Sequence, residues 1–334
     1  KINRFAESTF REFKSALRKL QRQGAKKLTL DLRDNPGGYL GIAEEIADEF
    51  LKDGKLILFT KNKKGKIDKT FATDEGSFED KPVYVLINER SASASEIIAG
   101  ALQDNDIGTI VGRRSFGKGL VQREMELGDG SAVRLTISRY YTPTGRSIQR
   151  DYKNGSKEYY HEIYERIKGG ELLEADSIKV ADSLKFTTPK GKVVYGGGGI
   201  IPDAFVPLGD NVEEGLLDLD SYGFISYFIF EHLDRDRKKY EVFERDEFIM
   251  DFKVDDDLFN EFVAYCEDKK ISLEFFTYQE SVKRYLKAAL ADQLFDANAY
   301  AKIKSGSDAV LKKVLELDKP PIQQGEAETI EGQN

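Results

Sequence analysis

Hydrophobic and polar positions switch between helical and strand spacing along the first part of the chain. Apolar residues at helical spacing over residues 9–23 predict a first helix, with Thr9 and Glu12 in the register of a capping box and Gly24 as its stop. An apolar strand over 27–32 follows, and it leads through a glycine turn into a second helix. The first part of the chain is therefore predicted to form a helix, a strand, a turn and a second helix.

The same alternation continues to about residue 141. The segment 83–87 is almost continuously apolar, as expected of a strand that is buried on both faces of a parallel sheet. The other predicted elements are a strand at 56–60, a helix at 94–103, a strand at 107–111, and a hairpin of 120–127 with 132–141. Strands that alternate with helices predict a layered α/β domain over residues 1–208.

The second part of the chain has a different pattern. Residues 151–183 are charged and helical in spacing, which indicates an insertion, and 186–195 has the pattern of a hairpin. Residues 209–318 have helical spacing and predict an appended all-α domain, whereas 319–334 have almost no large apolar groups and are expected to be disordered. The predicted core positions of the helical domain are Phe224, Phe228, Leu233, Phe259, Phe262, Leu286 and Leu294.

Composition narrows the class of protein. With 334 residues, 40% of them hydrophobic and 33% charged, the chain has the composition of a globular protein of two domains. A net charge of -8 disfavours a nucleic-acid partner, and the most apolar run, 224–230, is too short to cross a membrane. Cys266 is the single cysteine and is expected to be a buried apolar residue. Because the chain lacks an initial Met and a secretory signal, we interpret it as processed or truncated.

Histidine is too scarce for two common kinds of active site. The two histidines both lie in charged helical segments outside the α/β core, His161 in the insertion at 151–183 and His232 in the helical domain. A Ser-His-Asp triad is therefore not expected, and two distant histidines with one cysteine do not make a zinc site. We expect neither a metal nor a cofactor.

The segment SASASE at residues 91–96 is the first candidate for chemistry, because it follows a buried strand and starts a helix. A serine at such a turn exposes its hydroxyl above the sheet, and the amide of the next residue points at a developing oxyanion. These roles fall on Ser93 and Ala94. The alternative is structural, since Ser93 and Glu96 also have the spacing of a capping box.

Lys118 is the second candidate, because it stands between two glycines in the loop SFGKG at 115–119 and has no helix to stabilise. A lysine acts as a general base only where desolvation disfavours its charged form, and Gln122 offers an amide that orients the amine without adding a carboxylate. A solvated loop lysine is one alternative. The S-x-x-K signature of penicillin-binding proteins, with Ser115 as nucleophile, is another, but it needs a helical turn that the glycines disfavour.

Four segments in this order resemble the carboxyl-terminal processing peptidases, which are also called tail-specific proteases. They are LRDNPGG at 32–38, SASASEIIAG at 91–100, FGKGLVQ at 116–122 and YYTPTGRSIQ at 140–149. The resemblance covers about residues 1–207. It implies a ClpP- and crotonase-like α/β fold. It also implies Ser93 as nucleophile, Lys118 as base, Gln122 as the residue that orients the base, and an oxyanion hole of the Ala94 amide with that of Gly37 or Gly38.

The resemblance also implies a function. It predicts a serine endopeptidase that cleaves unfolded or tagged proteins near a free carboxyl terminus by acyl-enzyme chemistry, outside the cytoplasm and, in bacteria, in the periplasm. The resemblance is also compatible with a homo-oligomer. Members of the family normally carry a PDZ domain ahead of this core, so an inactive peptidase that lacks its substrate tether is one alternative. A non-catalytic ligand-binding or scaffold protein on the same fold is the other.

Overall fold

Short strands alternate with helices in the first part of the chain, and helices alone form the last part. The computed structural model describes residues 1–152, 155–209, 211–271 and 275–319. Its helices are α1 (Thr9–Arg22), α2 (Leu40–Asp48), α3 (Ala94–Asp104), α4 (Gly155–Lys168), α5 (Asn211–Ser221), α6 (Phe224–Asp236), α7 (Arg245–Asp251), α8 (Asp256–Asp268), α9 (Gln279–Leu294), α10 (Ala297–Ser305) and α11 (Ala309–Leu317). Its strands are β1 (Leu28–Asp31), β2 (Leu56–Asn62), β3 (Ile67–Phe71), β4 (Val83–Ile87), β5 (Gly108–Gly112), β6 (Leu120–Leu127), β7 (Ser131–Tyr141), β8 (Lys185–Thr187), β9 (Val193–Tyr195) and β10 (Ala204–Phe205).

A parallel sheet in the order β1-β4-β5-β10 is the centre of the first half. Val85 and Ile87 of β4 pack with α2 and α3 on one face of this sheet. Leu86 faces the other side, where it packs against Val310 and Val314 of α11. Because β4 is covered on both faces, its sequence is apolar at almost every position. The predicted α/β fold is confirmed.

A second, antiparallel sheet in the order β3-β2-β7-β6 stands beside the parallel one. Phe59 of β2 pairs with Tyr141 of β7, and their rings stack. The predicted hairpin is present as β6 and β7, and most of its residues are exposed. Strands β8 and β9 form a separate two-stranded ribbon, as the hairpin pattern at 186–195 predicts.

The helical part has its own core, which α5 to α10 form together. Five of the predicted core residues are buried there, namely Phe228, Leu233, Phe259, Phe262 and Leu286. Phe224 and Leu294 are partly buried against the same core. Cys266 is buried too, and burial raises the pKa of its thiol to about 12. The prediction that the carboxyl-terminal region is helical is confirmed.

Two local predictions are wrong. Ser8 and not Thr9 is the N-cap of α1, because the Thr9 hydroxyl is used before the helix, where it donates to the Arg4 carbonyl and accepts from the Ala6 amide. The insertion is helical over α4 but not as far as residue 183, since Gly170 takes a positive φ of 87° just after that helix. Two short 3-10 turns follow.

Two further expectations concern the carboxyl-terminal tail and a membrane-spanning helix. Of the tail predicted to be disordered, residues 320–334 lie outside the described residues. Among the helices of the described ranges, none has the length and apolar character needed to cross a membrane.

Candidate active site

Three loops meet at the carboxyl edge of the parallel sheet. They follow β1, β4 and β5, which are adjacent in the sheet, so the loops at 32–38, 88–93 and 113–119 are neighbours. In open α/β sheets this edge is the usual place for ligands. The structure thus brings the segments that contain Gly37, Ser93 and Lys118 to one edge.

Ser93 stands at the sharp turn between β4 and α3. Its φ of 56° and ψ of -112° are unusual for a residue with a side chain, and such a conformation costs about 1–3 kcal/mol. Its carbonyl accepts hydrogen bonds from the amides of Glu96 and Ile97, the first of the helix. The side chain is half-buried. The hydroxyl therefore lies at the positive end of the α3 dipole, where an anion is stabilised.

Asn35 fastens the turn after β1 to the turn that carries Ser93. It is fully buried, and its carbonyl accepts hydrogen bonds from the Ala92 amide and the Ser95 hydroxyl, each at 3.0 Å. Its side-chain amide donates to the Ile2 carbonyl at 2.8 Å, and its Oδ1 accepts from the Gly37 amide at 2.8 Å. The two turns therefore form one hydrogen-bonded unit.

The two glycines of this turn have different roles. Gly37 has a φ of 100°, and a Cβ there would lie 2.8 Å from the Cβ of Ser93, so no larger residue fits. Its amide is occupied by Asn35. Over the described residues, the amides of Gly38 and Ala94 donate to no protein acceptor. This pattern favours Gly38 over Gly37 as the partner of Ala94 in an oxyanion hole.

Glu96 joins the turn at Ser93 to the loop at residues 113–119. It is fully buried, and its Oε2 accepts from the Ser93 amide at 2.8 Å and from the Lys118 amide at 2.9 Å. Its Oε1 accepts from the Ser115 hydroxyl at 2.5 Å and from the Gly117 amide at 2.7 Å. Burial raises the pKa of this carboxyl, and the four donors oppose that rise. Glu96 thus does reach back to Ser93 as in a capping box, but it also holds the loop of Lys118.

Lys118 and Gln122 contact each other through their side chains. The amine of Lys118 donates to Gln122 Oε1 at 3.3 Å, and Gln122 is exposed on β6. No hydrogen bond connects this amine to Ser93 in the described ranges. Lys118 is half-buried, so the desolvation expected for a general base is only partial.

Tyr140 contacts the backbones of both candidate residues. Its buried hydroxyl lies 3.1 Å from the carbonyl oxygen of Ser93 and 2.7 Å from that of Lys118. Burial raises the pKa of this phenol well above its usual range, so it remains a neutral donor. Together with Glu96 it fixes the main chain of Lys118 relative to that of Ser93.

Ser115 is a structural residue, which removes the S-x-x-K alternative. It is fully buried, its hydroxyl donates to Glu96, and its oxygen accepts from the Ile200 amide at 2.6 Å. The loop at 113–119 contains no helical turn, so Ser115 and Lys118 do not share a helix face.

Arg150 packs against the loop at residues 113–119. The sequence alone did not single it out. Its fully buried guanidinium lies 4.1 Å from the ring centroid of Phe116 and 4.0 Å from that of Tyr159. Its amide donates to the Gly117 carbonyl at 3.1 Å. The signal that could have identified Arg150 is its position directly after the motif YYTPTGRSIQ at 140–149.

Comparisons with known proteins give matches for the first half of the chain and for part of the helical region. Residues 1–155 match the model of Peptidase family S41, and residues 216–296 match a family of unknown function. The chain is 41% identical over 150 residues to a carboxyl-terminal-processing protease of Synechocystis sp., covering 45% of this chain and 35% of the relative. It is 38% identical over 164 residues to the chloroplastic carboxyl-terminal-processing peptidase 1 of Arabidopsis thaliana, covering 48% of this chain and 33% of the relative.

The similarity is partial in length. The chain spans about a third of the length of these curated relatives. A solved structure of the photosystem II D1 C-terminal processing protease is 28% identical, with a TM-score of 0.44, and the match covers 62% of this chain and 41% of that chain.

Proposed function

We propose that this chain is a serine endopeptidase that cleaves proteins near their carboxyl terminus, with Ser93 as nucleophile and Lys118 as general base. The match of residues 1–155 to the model of Peptidase family S41 supports this proposal. The observation that carries the proposal is the turn at Ser93. A strained serine at a helix N-terminus, beside two amides that lack protein acceptors, is an arrangement suited to acyl transfer.

In the proposed reaction the neutral amine of Lys118 takes the proton of the Ser93 hydroxyl while its oxygen attacks a peptide carbonyl. The amides of Ala94 and Gly38 bind the resulting oxyanion. The ammonium of Lys118 then protonates the departing amine, and the same lysine activates the water that releases the acyl group from Ser93. No cofactor takes part.

This reaction requires a hydrogen bond between the Lys118 amine and the Ser93 hydroxyl, whereas in the structure the amine donates to Gln122. Glu96 and Tyr140 hold the backbone of Lys118 in either arrangement of its side chain. Gln122 then has the role of a polar partner that orients the amine.

The substrate class and the location are part of the same proposal. We expect unfolded or tagged proteins with a free carboxyl terminus as substrates and a location outside the cytoplasm. The proposal is also compatible with a homo-oligomer. The names of the relatives, which are carboxyl-terminal-processing proteases, support the part of this proposal that concerns the carboxyl terminus of the substrate.

The test uses the 334-residue chain with two substrates, an unfolded protein with an apolar carboxyl-terminal tail and a short peptide from that tail. Ser93→Ala and Lys118→Ala are expected to lose hydrolysis of both. Ser15→Ala, which removes an exposed hydroxyl on α1, is the control and should match the parent. Equal rates for the parent and Ser93→Ala would refute the nucleophile.

The peptide separates the alternatives. A competent site that lacks only a substrate tether hydrolyses the short peptide but not the protein. A ligand-binding or scaffold protein hydrolyses neither, and a serine-reactive fluorophosphonate then fails to label Ser93.

A further inference from the structure

Helix α11 is the last described helix, yet it packs on the peptidase sheet. Its Val310 and Val314 are buried against Leu86 of β4 and Val111 of β5. This is the face of the sheet opposite α2 and α3. Residues more than 200 positions after β1 therefore complete the layered part, while α5 to α10 have a core of their own.

Both ends of α11 are anchored by aspartates. Asp308 is its N-cap, and its side chain accepts from the Val310 amide at 2.9 Å. Asp318, just after the helix, accepts from Lys27 Nζ at 2.7 Å and from the Tyr84 hydroxyl at 3.0 Å. Lys27 precedes β1, so Asp318 marks the amino edge of the sheet and Asp308 lies at the carboxyl edge.

Asp308 also binds Arg33, the second residue after β1. Arg33 Nη1 and Nη2 donate to the two oxygens of Asp308 at 3.0 and 2.7 Å. Its Nε and Nη2 donate to the two oxygens of Asp31 at 2.9 and 2.8 Å. One carboxylate suffices to neutralise a guanidinium, but two bidentate carboxylates on two of its edges also fix its plane.

Arg33 begins the turn that contains Asn35 and Gly38. Asn35 binds the residues on both sides of Ser93, and the amide of Gly38 lacks a protein acceptor over the described residues. The Arg33 side chain is 19% exposed, so its ion pairs are only partly screened by water. A shift of Arg33 moves the start of the turn and, with it, the Gly38 amide.

We propose that Asp308 is a positioning residue of the peptidase site, which holds the turn at residues 33–38 through Arg33 so that the Gly38 amide faces the oxyanion. The inference rests on the proposed function. It makes helix α11 a required part of the peptidase, although it lies beyond residues 1–155. Activity then depends on the attachment of α11 to the sheet, and hence on the helical region that precedes it.

The decisive variant is Asp308→Ser. Serine is as good an N-cap as aspartate, so α11 keeps its cap, but its short side chain does not reach Arg33. Asp318→Ser is the matched control, since it removes the anchor at the far end of the same helix and leaves Arg33 unchanged. Circular dichroism checks that both variants fold.

Two readouts are compared in the full chain. In Asp308→Ser we expect faster hydrogen exchange in the peptide that contains residues 33–39. We also expect a kcat on the short peptide about tenfold lower with an unchanged KM, because a displaced oxyanion donor weakens the transition state and not substrate binding. Asp318→Ser should match the parent in both readouts.

Each result of these two measurements supports or contradicts the proposed role of Asp308. Equal exchange at 33–39 and equal kcat in the two variants overturn the proposal. If Asp308→Ser does not fold, Asp308→Asn keeps the cap and one acceptor, and a smaller loss of kcat than tenfold, absent in Asp318→Ser, is the expected result. If the parent shows no hydrolysis that depends on Ser93, the proposed function fails, and the exchange comparison alone decides whether Asp308 holds the turn.

Discussion

The strain at Ser93 leads to a quantitative prediction that does not depend on activity. Ser93→Gly and Ser93→Ala both remove the hydroxyl, but only glycine adopts a φ of 56° and a ψ of -112° without steric cost. Relief of the strain contributes about 1–3 kcal/mol. The greater freedom of glycine in the unfolded chain opposes this by about 0.5–1 kcal/mol. We therefore expect Ser93→Gly to have a higher free energy of unfolding than Ser93→Ala, by about 1 kcal/mol and by about 2.5 kcal/mol at most.

Urea unfolding of the two variants measures this difference, and Ser95 provides the control. Ser95 lies in α3, where glycine is less stable than alanine by about 1 kcal/mol, so Ser95→Gly should be less stable than Ser95→Ala. The two positions thus predict opposite signs two residues apart. If Ser93→Gly is no more stable than Ser93→Ala, the turn is not strained, and the argument that this conformation is kept for chemistry fails.

Two further changes test the parts around Ser93. Glu96→Ala leaves two buried and two partly buried donors without their acceptor, so the free energy of unfolding measured in urea should fall by about 3 kcal/mol or more, with loss of peptide hydrolysis. Unchanged stability would mean that these donors find other acceptors. Gly37→Ala places a Cβ against Ser93 and should lower both stability and kcat, whereas Gly41→Ala, which meets no atom within 4 Å, should leave kcat unchanged. Equal kcat for the two alanine variants would contradict the close packing at Gly37.

The sequence predicts the α/β half well because each strand there has one dominant pattern. Segment 83–87 is apolar throughout since both faces of β4 are covered, and glycines end the neighbouring elements. The site residues are predicted by short motifs at the ends of these strands. Adjacent parallel strands place their following loops together, so Gly38, Ser93 and Lys118 reach one edge without any further information.

Features that depend on distant partners are not predicted. The amphipathic pattern at 309–317 indicates a helix, but it does not say that the helix packs on β4 and β5 or that Asp308 meets Arg33. The choice between Gly37 and Gly38 depends on one hydrogen bond, which the Gly37 amide donates to Asn35 Oδ1. The double role of Glu96 is hidden for the same reason, because three of its donors belong to a loop that begins 17 residues later, at 113–119.

The site consists of a fixed part and a part that has to move. Glu96, Asn35 and Tyr140 hold the backbones of Ser93 and of the Lys118 loop, whereas the Lys118 amine lies beside an exposed glutamine. A lysine acts as a general base only where desolvation disfavours its charged form. A polypeptide that covers the hairpin of β6 and β7 excludes water from this place. In the proposed mechanism the substrate therefore supplies the desolvation that activates Lys118, and hydrolysis of a short peptide should be slower than that of a longer one that reaches the hairpin.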